Sequence, residues 1–215
     1  GSDMGGSLRI PAAFSGCCGL RPSPGRVAHG PSQLPFSVNS VEGPMARTVA
    51  DVALFLDTMV GHHKEDPQSL PAPRQSFQEA VRQARPPKRV AFSMDMGISP
   101  IHADVRDVTT AAMRHFTDMG AEVVENTVDF SCAEPVFQIL RAAQFAAGHA
   151  EKLKTCRDQL KPEVIWNIEK GLALTADEIG WAERSRADLI HRFTAQFEDV
   201  DLLVTPTVNT PPFDA

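Results

Sequence analysis

Cysteine is scarce in this 215-residue chain, with only Cys17, Cys18, Cys132 and Cys156. None stands in a Cys-x-x-Cys spacing, so the sequence signatures of zinc and thiol-redox sites are missing. Simple packing as reduced side chains is the reading for the adjacent Cys17 and Cys18. Basic residues are also too few for a nucleic-acid surface. The 21 Lys and Arg against 27 Asp and Glu leave a formal charge of −6, whereas phosphate neutralisation needs clustered cations. No window approaches the ~18 apolar residues of a membrane span, and no basic-then-apolar leader is seen. A cytoplasmic protein with neither nucleic-acid nor membrane partners is expected. There is no repeat at solenoid periods. A His-x-x-x-His zinc helix, an Asp-rich calcium loop and the Gly-Lys-Ser/Thr ending of a phosphate loop are all absent, so no metal and no cofactor are expected.

What remains is a globular composition, 42% hydrophobic and 22% charged, long enough to bury a substantial core. Residues 1–48 are dense in Gly, Pro and Ser and read as loops and brief strands. Apolar spacing at three and four over Thr48–Val60 predicts a buried helix with Thr48 as N-cap and Gly61 as its stop. A polar, proline-punctuated stretch follows, with a short amphipathic helix around Ser76–Arg85. A strand from Val90, a helix over about Ala103–Met119 and a strand over Ala121–Glu125 have the length of a parallel pair with a crossover helix. Residues 133–197 read as helical, interrupted near Pro162 and over Gly171–Thr175, and Thr175-Ala-Asp-Glu178 has the form of a capping box. Asp201–Thr205 reads as a buried strand. The alternation predicts an α/β fold, a mixed central sheet flanked by helices on both faces.

Chemistry concentrates in Gly1-Ser-Asp-Met-Gly-Gly-Ser-Leu-Arg9. Gly5 and Gly6 before Ser7 permit tight backbone geometry, in which successive N–H groups point into one concavity beside a serine hydroxyl. Acyl transfer needs such donors where charge develops on the carbonyl oxygen. Taken alone, Gly-Gly-Ser is equally the sequence of a plain turn or linker. Seven histidines invite a Ser-His-Asp triad, but none stands in a recognisable motif. His62-His63 reads as solvated, His102, His115 and His191 fall on helix surfaces or ends, and His29 and His149 read as structural. The stretch Phe137–Phe145 reads as core packing, with the lining of a substrate pocket as the alternative.

The extended run from Gly1 to Arg26, including Ile10-Pro-Ala-Ala-Phe-Ser-Gly-Cys-Cys-Gly-Leu-Arg-Pro-Ser-Pro-Gly25, resembles the amidase signature family at nearly every position. Glu42-Gly-Pro-Met-Ala-Arg-Thr-Val-Ala-Asp51 resembles the family's second block, a Gly-Pro turn followed by a helix. The resemblance implies a serine hydrolase with a Ser, cis-Ser, Lys triad that cleaves carboxylic amides through an acyl-enzyme. Ser7 matches the nucleophile, and Met4, Gly5, Gly6 and Ser7 match the positions whose N–H groups hold the oxyanion. Asp3 and Arg9 match supporting polar positions, and Ser2 a small hydroxyl position near the triad. In family order the lysine and the cis-serine precede the nucleophile, so neither is expected within these residues, and the chain alone is expected to be inactive.

Residue 1 is not an initiator Met, and Thr205–Ala215 is a loop directly after a strand. The expectation is one amidase signature domain over 1–215, cut at both ends. The implied partner is a small-molecule amide, and a homodimer is left open. Two other readings stand beside the independent amidase. One is the A component of a glutamine-dependent amidotransferase, whose relatives tend to carry Asp-Gln where this chain has Val41-Glu42. The other is a non-catalytic fragment or binding protein that keeps the scaffold.

Overall fold

The computed structural model describes residues 1–214, and by compactness the chain falls into two units. The first comprises Gly1–Pro86 with Ile101–Val108 and the segment from Pro206; the second comprises Pro87–Pro100 and Thr109–Thr205.

In the first unit, strand β1 (Ser2–Asp3) leads through the Gly-Gly turn into helix α1 (Arg9–Phe14), followed by strands β2 (Cys18–Gly19), β3 (Val41–Glu42) and β4 (Met45–Ala46). Helix α1 departs from the expectation of loops and brief strands. Its Pro11 sits in the first turn, where the fixed φ of proline is compatible with a helix start, and the Gly-rich flanks masked it. Strand β1 pairs antiparallel with β3, with Ser2 opposite Glu42 and Asp3 opposite Val41, and β2 pairs antiparallel with β4. Leu8, Ala12, Val27, Val41, Val52, Ala53 and Leu56 are buried here. The last three lie on helix α2 (Val49–Met59), which begins at the expected cap, where Thr48 Oγ1 accepts from Asp51 N at 3.1 Å. Helix α3 (Phe77–Arg82) is capped by Ser76 and also tied to α2, since the Asp57 carboxylate accepts from Phe77 N at 2.7 Å and Gln78 N at 3.2 Å.

The second unit holds a three-stranded parallel sheet, with β5 (Arg89–Phe92) between β6 (Glu122–Glu125) and β7 (Leu202–Val204). Helix α4 (Ala103–Asp118) connects β5 to β6, the expected strand, helix, strand arrangement. Val90 is fully buried and packs in a cluster with Met113 and Ala121, to which Phe92, Phe116, Val123 and Val204 add. Val90 and Ala91 point to opposite faces of β5 and are both fully buried, so both faces of this central strand are covered and its middle residues are apolar. The Asp201 carboxylate takes the N–H groups of Lys88 at 2.6 Å and Arg89 at 3.1 Å, fixing β7 against the start of β5. Helices α5 (Ala133–Thr155), α6 (Pro162–Leu172) and α7 (Ala176–Gln196) complete the unit. α7 starts at a capping box in which Thr175 and Glu178 bond each other's N–H groups. α5 and α7 pack through Val136, Leu140 and Ala182. The class is α/β, and parallel and antiparallel pairings are both present in separate sheets. No helix among the described residues is long and apolar enough to cross a membrane.

Candidate active site

Asp3 organises the opening of the chain. It ends β1 and has no exposed surface. A carboxylate so placed is costly unless its oxygens are filled. Here Oδ1 accepts from Gly6 N at 2.8 Å, and Oδ2 from Leu8 N at 3.2 Å. The Arg9 guanidinium closes on both oxygens, Nε to Oδ2 at 3.0 Å and Nη2 to Oδ1 at 3.0 Å. Arg21 Nη1 reaches Oδ1 at 3.3 Å. Burial alone would raise the Asp3 pKa; the Arg9 fork and the Gly6 and Leu8 N–H groups outweigh it and hold the carboxyl well below its ordinary value.

These bonds shape the turn that carries Ser7. Two N–H groups, at Gly6 and Leu8, point back at Asp3, and the residue between them is turned out to the exposed surface. Gly6 is buried with φ +104°, a conformation open to glycine, and its carbonyl accepts the first bond of α1 from Ile10 N at 2.7 Å. Leu8 is fully buried, and pins the far side of Ser7 in the apolar core. The nucleophile position is thus an exposed hydroxyl on a turn anchored on both sides.

The sequence-selected residues fall together in this turn, with one correction. The Gly6 N–H, expected among the oxyanion donors, is taken up by Asp3. The N–H groups of Met4, Gly5 and Ser7 have no acceptor among the described residues. Met4 is half-buried and Gly5 is exposed. Ser2 is exposed on the ladder opposite Glu42. The hydroxyls of Ser2 and Ser7 bond no described residue, and none of the seven histidines reaches them. His29 instead contacts Glu42, Nδ1 to Oε1 at 2.5 Å, and its own N–H goes to buried Asp66 at 2.8 Å. His149 stacks edge-on against Phe145. In the helical stretch, Arg141 lies 5.8 Å from the Phe137 ring centre and 5.9 Å from that of Phe145.

Sequence reasoning missed Arg21 and Leu8. The available signals were a lone charge within the Gly-Leu-Arg-Pro piece and an apolar residue fixed between Ser7 and Arg9. Among the described residues no group of three or more His, Cys, Asp or Glu could hold a metal ion. An apolar recess of about 390 Å³ between α2, α3 and β2 is lined by Val52, Leu56, Phe77 and Val81, with the Cys18 thiol as its one titratable side chain.

With this geometry in view, the family model described as Amidase matches residues 1–215. The chain belongs to the amidase signature family. It is 31% identical over 99% of its length to an acylamidase of Rhodococcus erythropolis, of which it covers 45%. It is 30% identical to an amidase of Pseudomonas putida over 98% of its own length and 46% of that protein's. It is 31% identical to the A component of the glutamyl-tRNA(Gln) amidotransferase of Chloroflexus aggregans, covering 49% of it. Among solved structures, a bacterial aryl acylamidase of the amidase signature family superposes with a TM-score of 0.87 at 26% identity, over 99% of this chain and 46% of that one. The chain thus spans about half the length of the curated relatives it matches.

Proposed function

We propose that this chain is the nucleophile-bearing part of an amidase, hydrolysing a carboxylic amide through an acyl-enzyme on Ser7. The observation that carries the reading is the Asp3 anchor, which holds an exposed serine hydroxyl beside the unpartnered N–H groups of Met4, Gly5 and Ser7. In the first half-reaction Ser7 Oγ attacks the amide carbonyl, its proton passes to a base, and the carbonyl oxygen becomes an oxyanion. The three N–H groups are the donors assigned to that charge, which is where preorganised donors act most strongly. Collapse expels the amine, which takes a proton; water then repeats the attack on the ester and releases the acid. Ser7 bonds no base among the described residues, and the acceptor is assigned to a lysine acting through a bridging serine outside these 215 positions. Both units are assigned to one amidase signature domain. The four free cysteines accord with a reducing, cytoplasmic setting.

The experiment is to treat the intact protein with a fluorophosphonate and map the modified peptide. Labelling of Ser7, with Ser7→Ala abolishing both labelling and amide hydrolysis, is the expected outcome. Full hydrolysis by Ser7→Ala would sink the mechanism. Release of ammonia from glutamine only within a larger complex would instead favour the amidotransferase reading, and a folded protein with neither reaction would favour the binding-protein reading.

A further inference from the structure

Two arginines meet Asp3, and they do different things. Arg9 grips both carboxylate oxygens and by itself neutralises the charge. Arg21 adds a second cation where one already suffices, so neutralisation does not account for it. Its other contacts do. Nη1 also donates to the main-chain carbonyl oxygen of Asp3, and Nη2 donates to the carbonyl of Asn39 at 3.1 Å. The side chain, 25% exposed, therefore ties the last residue of β1 to the segment that leads into β3.

The Asp3 carbonyl is half of a planar unit. The peptide joining Asp3 to Met4 is rigid, and in the trans form its C=O and N–H point in opposite directions. A guanidinium that fixes the Asp3 oxygen therefore fixes where the Met4 N–H points. Gly1 and Gly43 exchange both of their main-chain bonds, so two residues on the Asp3 and Val41 pair is again a bonded one, and the Asp3 carbonyl takes the Val41 N–H as well as Arg21. The ladder ends there, and β3 gives the Met4 N–H no acceptor. Arg21 acts at that boundary, just before the proposed oxyanion donors begin.

Resting on the reading of the Met4 N–H as an oxyanion donor, we infer that Arg21 is a positioning residue, orienting that N–H through the Asp3–Met4 peptide plane. An interaction made with the oxyanion alone changes kcat far more than ground-state binding. A small misplacement at such a site costs up to about 100-fold.

The test compares the intact wild-type protein with Arg21→Met and Arg21→Lys on one anilide substrate, together with inhibition by a trifluoromethyl ketone carrying the same acyl group. The ketone forms a tetrahedral adduct whose oxyanion occupies the donors. For Arg21→Met, kcat is expected to fall about 100-fold with KM little changed, and the ketone's inhibition constant to rise by a similar factor. Arg21→Lys keeps the charge near Oδ1 but has one ammonium for two carbonyls, and is expected to lie between. It carries the test if Arg21→Met does not fold. Wild-type kcat and ketone affinity in a folded variant would overturn the inference while leaving the amidase reading intact. So would a kcat loss with unchanged ketone affinity. A wild-type protein that neither turns over an amide nor labels at Ser7 would overturn both.

Discussion

Arg9 and Asp3 meet fork to fork across the Ser7 turn, Nε to Oδ2 and Nη2 to Oδ1, both at 3.0 Å, with Asp3 fully buried and the Arg9 side chain 47% exposed. The buried partner has most to lose. Its carboxylate also accepts the Gly6 and Leu8 N–H groups that bracket Ser7, so charge balance and nucleophile geometry rest on the same atoms.

Asp3→Asn should therefore lower stability and activity together. An amide cannot serve all of the donors aimed at the two oxygens, and removing one partner of a buried pair costs about 3 kcal/mol. The pH dependence follows from the direction of the shift. The carboxyl is held below its ordinary value in the folded protein, so its stabilisation is complete above the unfolded pKa of about 3.9 and is lost as pH falls below that towards the folded value. Urea midpoints of the intact protein between pH 7 and pH 3 check this. The wild-type advantage over Asp3→Asn should be constant above roughly pH 5 and shrink on further acidification. An advantage that grows with acid would refute the assignment.

Gly6→Ala tests the turn itself. At φ +104° an L side chain is strained, and its Cβ would stand 2.6 Å from Ile10 Cδ1. Destabilisation above ~1 kcal/mol is expected. Relief of the strain would turn the Gly6 N–H off Asp3 and move Ser7 with it, so kcat should fall as well. Thermal melting and steady-state rates read the two effects, and a variant with wild-type values for both would show that the turn does not need this conformation.

Features made within one stretch of chain were the ones readable from sequence. Thr48 caps α2 and Thr175 with Glu178 opens α7 through bonds three residues long. The apolar cores of β5, β6 and β7 needed only a short run of the right residues. Helix α1 escaped because Gly and Pro around Arg9–Phe14 speak for loops, and burial of Leu8 and Ala12 overrode them. Ser7, Asp3 and Arg9 were legible through the family resemblance, whereas residue chemistry alone left Gly-Gly-Ser a turn. The Arg21 to Asp3 contact, bridging 18 residues, depends on how β2 returns the chain. The capture of the Gly6 N–H by Asp3 depends on a backbone rotation that residue types do not specify.

Gly171→Ala addresses the helices of the second unit. An added Cβ would lie 2.0 Å from the Ala142 carbonyl oxygen and 2.8 Å from the Ala146 Cβ, where α5 and α6 cross. Replacing a helical glycine by alanine gains ~0.5–1 kcal/mol in propensity. Overpacking costs ~1–3 kcal/mol, and the obstacle here is main chain that cannot rotate away, so the clash should win. A lowered urea midpoint is expected; an unchanged or raised one would mean that the helices part without penalty.

Met4 separates main-chain from side-chain chemistry. If its N–H holds the oxyanion, the identity of its side chain matters little, and Met4→Ala should leave kcat within a few-fold of wild type. Replacing the residue by its α-hydroxy analogue, so that an ester stands where the Asp3–Met4 amide was, deletes the donor and also weakens the Asp3 carbonyl as an acceptor for Arg21. The loss of one oxyanion donor lowers kcat by about 10²–10³, and KM should change little because the ground-state carbonyl bonds that donor weakly. Semisynthesis of the intact protein and single-turnover acylation rates provide the measurement. Equal rates for the ester and the amide would remove Met4 from the hole and leave Gly5 and Ser7 to hold the charge.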